Sequence, residues 1–495
     1  MGATLAAGIV VGAGCVGDDP SASTLVDGGV IQPASDAGVG AEGGAGPEAG
    51  ARCESSAPRR CEGNDVVTCV EGATVLTPCA LGCDPATAAC KRIQSTTAAG
   101  TASTSPATFA TPIVDVVDVV VDTDTGYIGR RRDDGSAFDM IRAAGAEGDA
   151  SGITYEVVAQ AAGTQLAVFG FARLELKPGT SARVVGTHAV TFVSATDIVL
   201  DGMLSLRGVC VPNAATPVPL PGPGGYGMEG PTTETDATPG TGSRAIASAV
   251  GTGTIQACGG GGGGGNGTDG DTGGTATNED RTSAGGTGGK KRTASIFDVP
   301  VLTGGGGGGQ GSGGPGGGAA GFVANGIVRV GGTVEAGGCG GGAASISGIS
   351  PASCGGGGGG GGAGGTLFFE TPRLVVAATG RILAHGGGGG GGGSGSSTMT
   401  RPGIGSDAST TDATPSPGGA PGDVNPTFGC KAGGSGSPFA DLAGPCGGFQ
   451  QSSTRAGGAG GGAGIIAART AENGVVLEEG AIVSPVLARD LARAQ

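Results

Sequence analysis

The stretch from Cys354 to Gly393 reads CGGGGGGGGAGGTLFFETPRLVVAATGRILAHGGGGGGGG. Two eight-residue glycine runs, 355–362 and 386–393, flank an apolar unit that reads as a strand, a bend at Gly380 and a second strand. The same grammar returns at three other places. Ile198 to Leu206 bends at Gly202, Ile327 to Ala336 bends at Gly332, and Val475 to Ser484 bends at Gly480. Leu204, Val334, Ile382 and Ile482 each stand two residues past the bend, so alternation sends them to one side of a strand. Glycine at a fixed place in each copy suits a tight corner that needs positive φ. The bends are 130, 48 and 100 residues apart, so insertions of different length separate the copies.

Short strands with glycine corners that stack on copies of themselves predict a mainly β fold. Either a glycine-rich β-solenoid of β-helix type or a β-sandwich fits, over residues 112–495. Phe171 to Gly208 reads most like successive coils of a parallel β-helix. Ile113 to Val121, β-branched and broken only by Asp115 and Asp118, reads as its first strand. The turn that follows, Asp122 to Gly126, has too few carboxylates for a calcium loop. The tail, Pro485 to Gln495, reads as a short helical end cap.

Glycine supplies 115 of the 495 residues, against about 7% in ordinary proteins. The runs admit two readings. They are disordered linkers, or they pack as extended three-fold helices of polyglycine II type, where the missing side chain lets backbones approach closely. Their position beside the strand units favours packing.

Ahead of the repeat domain lie four shorter segments. Residues 1–15 are small and apolar and end in Cys15; Val11-Gly12-Ala13-Gly14-Cys15 resembles a bacterial lipobox, with Gly12 where leucine is usual. At this length the stretch is too short to span a bilayer, and it resembles the apolar region of a secretory signal. The resemblance implies lipidation at Cys15 and, with Val16 and Gly17 next, an outer-membrane or cell-surface protein. Residues 16–52 are poor in large apolar side chains and read as a flexible tether with a reach of roughly 30–36 Å. Residues 53–91 hold Cys53, Cys61, Cys69, Cys79, Cys83 and Cys90, a disulfide module with fifteen conceivable pairings. Within it, Asp65 to Thr68 and Ala73 to Leu76 read as strands joined at Glu71-Gly72. Residues 92–111 form a second linker.

The later cysteines bracket insertions. Pairing in sequence order, Cys210 with Cys258, Cys339 with Cys354 and Cys430 with Cys446, would close each loop at its base, with about 3 kcal/mol of chain-entropy stabilisation for the shorter ones. With Cys15 lipidated, the twelve others can all pair, as an oxidising compartment allows.

Signs of chemistry are few. The net charge of −15 disfavours nucleic acid. No phosphate-loop context accompanies the glycines, so nucleotide binding is not expected. The only histidines, His188 and His385, read as solvated or locally hydrogen-bonded groups. Gly264 to Asp269 matches the start of a calcium-binding nonapeptide once, as glycine abundance alone would produce. Catalytic residues, resident metal and cofactor are all expected to be absent.

As a whole, the composition from Gly163 onward resembles glycine-rich secreted proteins of myxobacterial type, grouped as PE-PGRS-like for their glycine repeats, though no PE module is present. The cysteine module also resembles those near the N-termini of such proteins. The resemblance implies a non-enzymatic surface lipoprotein with a structural or adhesive role, whose partners are the membrane, through its anchor, and a surface polysaccharide or another surface protein. The alternative is a carbohydrate-binding or carbohydrate-active parallel β-helix.

Overall fold

The computed structural model describes residues 52–95, 118–131, 138–210, 219–227, 238–245, 259–309, 313–344, 357–392, 402–420, 433–436 and 456–491, apart from 55, 80, 94, 146, 279 and 280. All its regular elements are strands; no helix occurs among the described residues.

Five units, each of three short strands, account for most of it. In the first they are Leu166–Phe171, Leu174–Leu176 and Ser181–Val185. In the second they are Ala189–Ser194, Ile198–Leu200 and Met203–Ser205. Ala319–Ala324, Ile327–Val330 and Thr333–Glu335 form the third. Thr366–Glu370, Arg373–Val376 and Arg381–Leu383 form the fourth, and Ile465–Thr470, Val475–Leu477 and Ile482–Ser484 the fifth. Corresponding strands of successive units pair in parallel, which yields three sheets with a shared core.

Parallel in-register pairing places like above like. On the first sheet Phe169, Phe192, Phe322 and Phe369 form an internal ladder with ring centroids 4.9–6.2 Å apart. Leu174, Ile198, Val328 and Leu374 form its counterpart on the second sheet, and Ala182, Leu204, Val334, Ile382 and Val483 on the third. A buried Val, Leu, Ile or Phe contributes about 1.5–3 kcal/mol, so these ladders are the main apolar term.

The expected register is one residue off in the last unit. Ile382 pairs with Val483, so Val483 and not Ile482 faces the core. Gly480 therefore precedes the position held by Gly202, Gly332 and Gly380, and it is the only one of the four with positive φ, +97°. The other three are glycine because of stacking. A Cβ on Gly332 would run into the Gly202 carbonyl oxygen, and one on Gly202 into Thr180.

Further strands, most of them antiparallel, extend two of the sheets at the N-terminal end. Asp118–Asp122 lies parallel to Ser181–Val185, and Ile128–Arg131 and Phe138–Arg142 continue from it. Ile153–Val158 and Gly148–Ala150 extend the first sheet. Arg142 is buried there; its guanidinium bonds to the carbonyls of Gly126, Ala143, Gly148 and Ile153 and lies 5.0 Å from the Tyr155 ring centroid. At the opposite end Ala488–Leu491 is a strand parallel to Ile465–Thr470, not the expected helix. So short a segment makes a marginal helix, whereas the sheet edge offers unpaired backbone groups.

The described parts of the glycine runs, 259–265, 304–309, 357–362 and 386–392, are ordered. They join the third strand of one unit to the first strand of the next, and they hydrogen-bond sideways through their backbones. Across 358–365 the amides donate to Ala456, Gly342, Gly309, Ala459, Cys339, Gly306, Gly462 and Ala336 in turn. Three neighbouring segments are thus addressed in rotation, with a period of three residues. The amides of 260–265 likewise rotate among Gly274, Gly358, Ser243, Asp271, Gly361 and Gly240. A Cβ on Gly361 would fall against the Gly387 carbonyl, and one on Gly263 against that of Gly460.

In the cysteine module, Asp65–Val70 and Ala73–Pro78 pair through a turn at Glu71 and Gly72, whose φ values of +53° and +80° suit a tight hairpin. The pairs are Cys53–Cys69, Cys61–Cys83 and Cys79–Cys90. Just beyond, Ile93 is buried in the apolar cluster that covers the outer side of the first sheet, with Ile296, Leu302 and Phe368. Its amide donates to Asn325 Oδ1, and Ser95 donates to Glu370, so these residues of the expected linker are held down.

Candidate functional site

Alternation along the third sheet sends Leu204, Leu206, Val334, Ala336, Ile382 and Ala384 into the core. Ser205, Arg207, Glu335 and His385 therefore face outward, where the segment around 405–416 lies over them. That segment is held by the Ala408 amide on the Gly338 carbonyl (3.0 Å), the Gly340 amide on Asp407 Oδ1 (2.9 Å) and Ser416 Oγ on the Gly386 carbonyl (2.9 Å).

Beneath it Glu335, 2% exposed, accepts Ser205 Oγ at 2.6 Å and Arg207 Nη2 at 2.9 Å. Arg207 also donates to the Ala408 carbonyl, and its Nη1 lies 3.8 Å from Asp407 Oδ2. Gly337 stands between Arg207 and the next unit; its missing side chain leaves room for the guanidinium and for Ala408. An ion pair taken this far out of water is held by its hydrogen bonds, and breaking one partner away would leave a buried charge.

His385 is not solvated, as the sequence suggested. It is 1% exposed, and among the described residues neither ring nitrogen has a hydrogen-bond partner. Burial pushes its pKa down to about 4; Asp412 pulls the other way and Arg207 adds to the depression. His188, by contrast, is local: its Nε2 is 3.7 Å from Asp124 Oδ1, which also accepts the Thr187 amide and hydroxyl.

Beside the cluster, Cys210 is bonded to Cys339. This corrects the pairing expected from sequence order, Cys210 with Cys258 and Cys339 with Cys354. The Leu206 amide donates to the Glu335 carbonyl, so the exits of the second and third units run side by side. In a parallel stack, equivalent positions of neighbouring units are closer than the two ends of one insertion. Cys15, Cys258, Cys354, Cys430 and Cys446 lie outside the described residues.

The other sequence candidates are occupied within the chain. Asp269 pairs with Lys290 at 2.8 Å and accepts the Lys291 amide, and Asn266 Nδ2 donates to the Gly364 carbonyl, so the nonapeptide-like stretch is built into the glycine packing. Asp122 Oδ1 accepts the Asp124 amide, which closes the first turn. Sequence reasoning missed the Glu335–Arg207 pair, since 128 residues separate its members.

A second buried ion group lies on the first sheet. Arg469 sits 3.7 Å from Glu370 and bonds to Asp490 at 3.1 Å, with the Phe297 and Phe368 rings 5.5 and 5.9 Å away. It fastens the 292–303 loop and the last strand to the sheet. Both clusters tie together segments far apart in the chain. Compared with protein-family models, with curated proteins and with solved structures, the chain gives no match.

Proposed function

We propose that this chain is a non-enzymatic cell-surface lipoprotein with a structural or adhesive role, a glycine-rich protein of the myxobacterial type. In this reading the three sheets wind as a parallel β-helix, and the glycine segments are polyglycine II helices packed against its side. Cys15 carries the lipid, residues 16–52 tether the body, and the body displays a rigid surface toward a polysaccharide or another surface protein. The observation that carries the reading is the three-residue rotation of backbone hydrogen bonds along 358–365, the period of a three-fold extended helix. Such packing supplies rigidity with few large side chains and offers proteases little slack backbone.

Protease shaving of intact cells tests the reading, with the native chain compared with Cys15→Ser. Removal of the native protein from the surface, release of the variant to the medium and loss of cell adhesion in both the variant and a deletion strain are the expected results. A protein that stays protected, or adhesion unchanged without it, would overturn the proposal. The alternative, a carbohydrate-active β-helix, draws on the parallel stacking and the outward Ser205, Arg207 and Glu335. The burial of Glu335 weighs against it, and depolymerisation of a polysaccharide by the purified full chain would favour it.

A further inference from the structure

We propose that residues 407–415 form an acid-released flap, shut over the third sheet at neutral pH and lifted when His385 takes up a proton. The flap is a loop with a fixed neck and a lightly held tip. At the neck the Ser406 amide donates to the Pro417 carbonyl (2.9 Å). Both flanks are tied into the glycine packing, the Gly405 amide on Gly341 (2.8 Å) and the Gly419 amide on Gly389 (2.8 Å). Within 407–415 only Ala408 is buried. Around Asp412 the tip bonds to itself, one carboxylate oxygen accepting the Ser409 hydroxyl and the Thr414 amide and hydroxyl. Its bonds to the sheet gather at Asp407, which takes the Gly340 amide, and at Ala408, which meets Gly338 and Arg207. A segment with so few buried apolar contacts opens locally without unfolding the rest.

The ring beneath makes that opening sensitive to acid. His385 is 1% exposed, and among the described residues neither of its nitrogens has a hydrogen-bond partner. From the flap Asp412 acts on it; from the second unit Arg207 does, itself beside Glu335 and Asp407. The glycine segments 433–436 and 456–464, which bond to Ser416 and to residues beside His385, carry no titratable side chain.

The closed flap therefore holds the neutral ring. Burial disfavours the charged form most strongly and Arg207 adds to this, while Asp412 favours it; together they leave the pKa at about 4. With the flap lifted the ring meets solvent and titrates near its ordinary 6.5. The open form thus binds the proton more tightly, so opening sets in as the pH falls below about 6.5 and is fully favoured below about 4. Lifting the flap bares Ser205, Arg207 and Glu335, a polar row that is covered at neutral pH.

Hydrogen exchange of the full chain, followed by mass spectrometry and corrected for the intrinsic rate at each pH, tests the proposal. Peptides over 405–416 are expected to lose protection at least about tenfold between pH 7.5 and pH 5 in wild type, while 366–370 in the first sheet keeps its own. That range lies above the ordinary carboxylate pKa, so the loss reports the imidazole. His385→Leu and His385→Gln, neither of which takes up a proton, should keep the flap protected throughout. Full protection of the wild-type flap at pH 5 would overturn the proposal. So would a flap that opens in both variants as it does in wild type, or is open in both at pH 7.5, or a loss shared by 366–370.

Discussion

His385 shows how much one position can owe to its surroundings. Its neighbours in sequence are Ala384 and a glycine run, which suggests exposure, yet the 405–416 segment buries it. Its pKa in the folded chain, about 4, lies below the ordinary 6.5, so the unfolded chain binds the proton more readily. Stability is therefore complete above about pH 6.5 and falls as the pH drops through 4, by about 3 kcal/mol. Melting temperatures from pH 7.5 to 4 should fall for wild type and fall less steeply for His385→Leu. Parallel curves for the two would contradict the assignment.

At the scale of the element, the glycine segments behave as secondary structure whose side-chain requirement is none at all. Gly263→Ala and Gly361→Ala each drive a methyl into a neighbouring carbonyl. Overpacking of this kind costs about 1–3 kcal/mol, more than the gain of about 0.4–1 kcal/mol from stiffening the unfolded chain. Gly227→Ala is the control, since nothing lies within 4 Å of its would-be Cβ and its φ is not positive. Thermal or urea unfolding should show both lattice variants destabilised and the control within about 0.5 kcal/mol of wild type. A neutral Gly361→Ala would mean that the run is a loose linker.

For the whole molecule, sheets and glycine segments share one hydrogen-bond network. Gly365 donates to Ala336 and Gly464 to Ala384, where runs enter and leave strands. The glycine amides should therefore exchange with solvent in the same cooperative unit as the strands, not at the rate of an open chain. Hydrogen exchange followed by mass spectrometry over 357–365 and 366–370 checks this, and rapid exchange confined to the glycine peptides would rule it out.

Much was legible in the chain because it is local. Alternation, β-branched runs and glycine corners located the second and third strands of four units, the module hairpin at Glu71-Gly72 and the six-cysteine grouping. The first unit, inside the Phe171 to Gly208 stretch read as coils, was not aligned with the other four, because Thr180 stands where Gly202 stands in the next unit and alignment on glycine passed over it. The first strands were harder to read: Ala319–Ala324 and Ile465–Thr470 begin in alanine or emerge from glycine runs without a turn signal. The choice between linker and lattice, the Cys210–Cys339 bond, the burial of His385 and the Glu335–Arg207 pair were decided only by the tertiary structure. The physical reason is the same for all four. Parallel stacking joins residues by their place within a unit, and insertions as long as 113 residues, 206–318, erase that place from the linear order. A glycine run carries no side chain to announce its neighbours, so its partners exist only once the stack has brought them alongside.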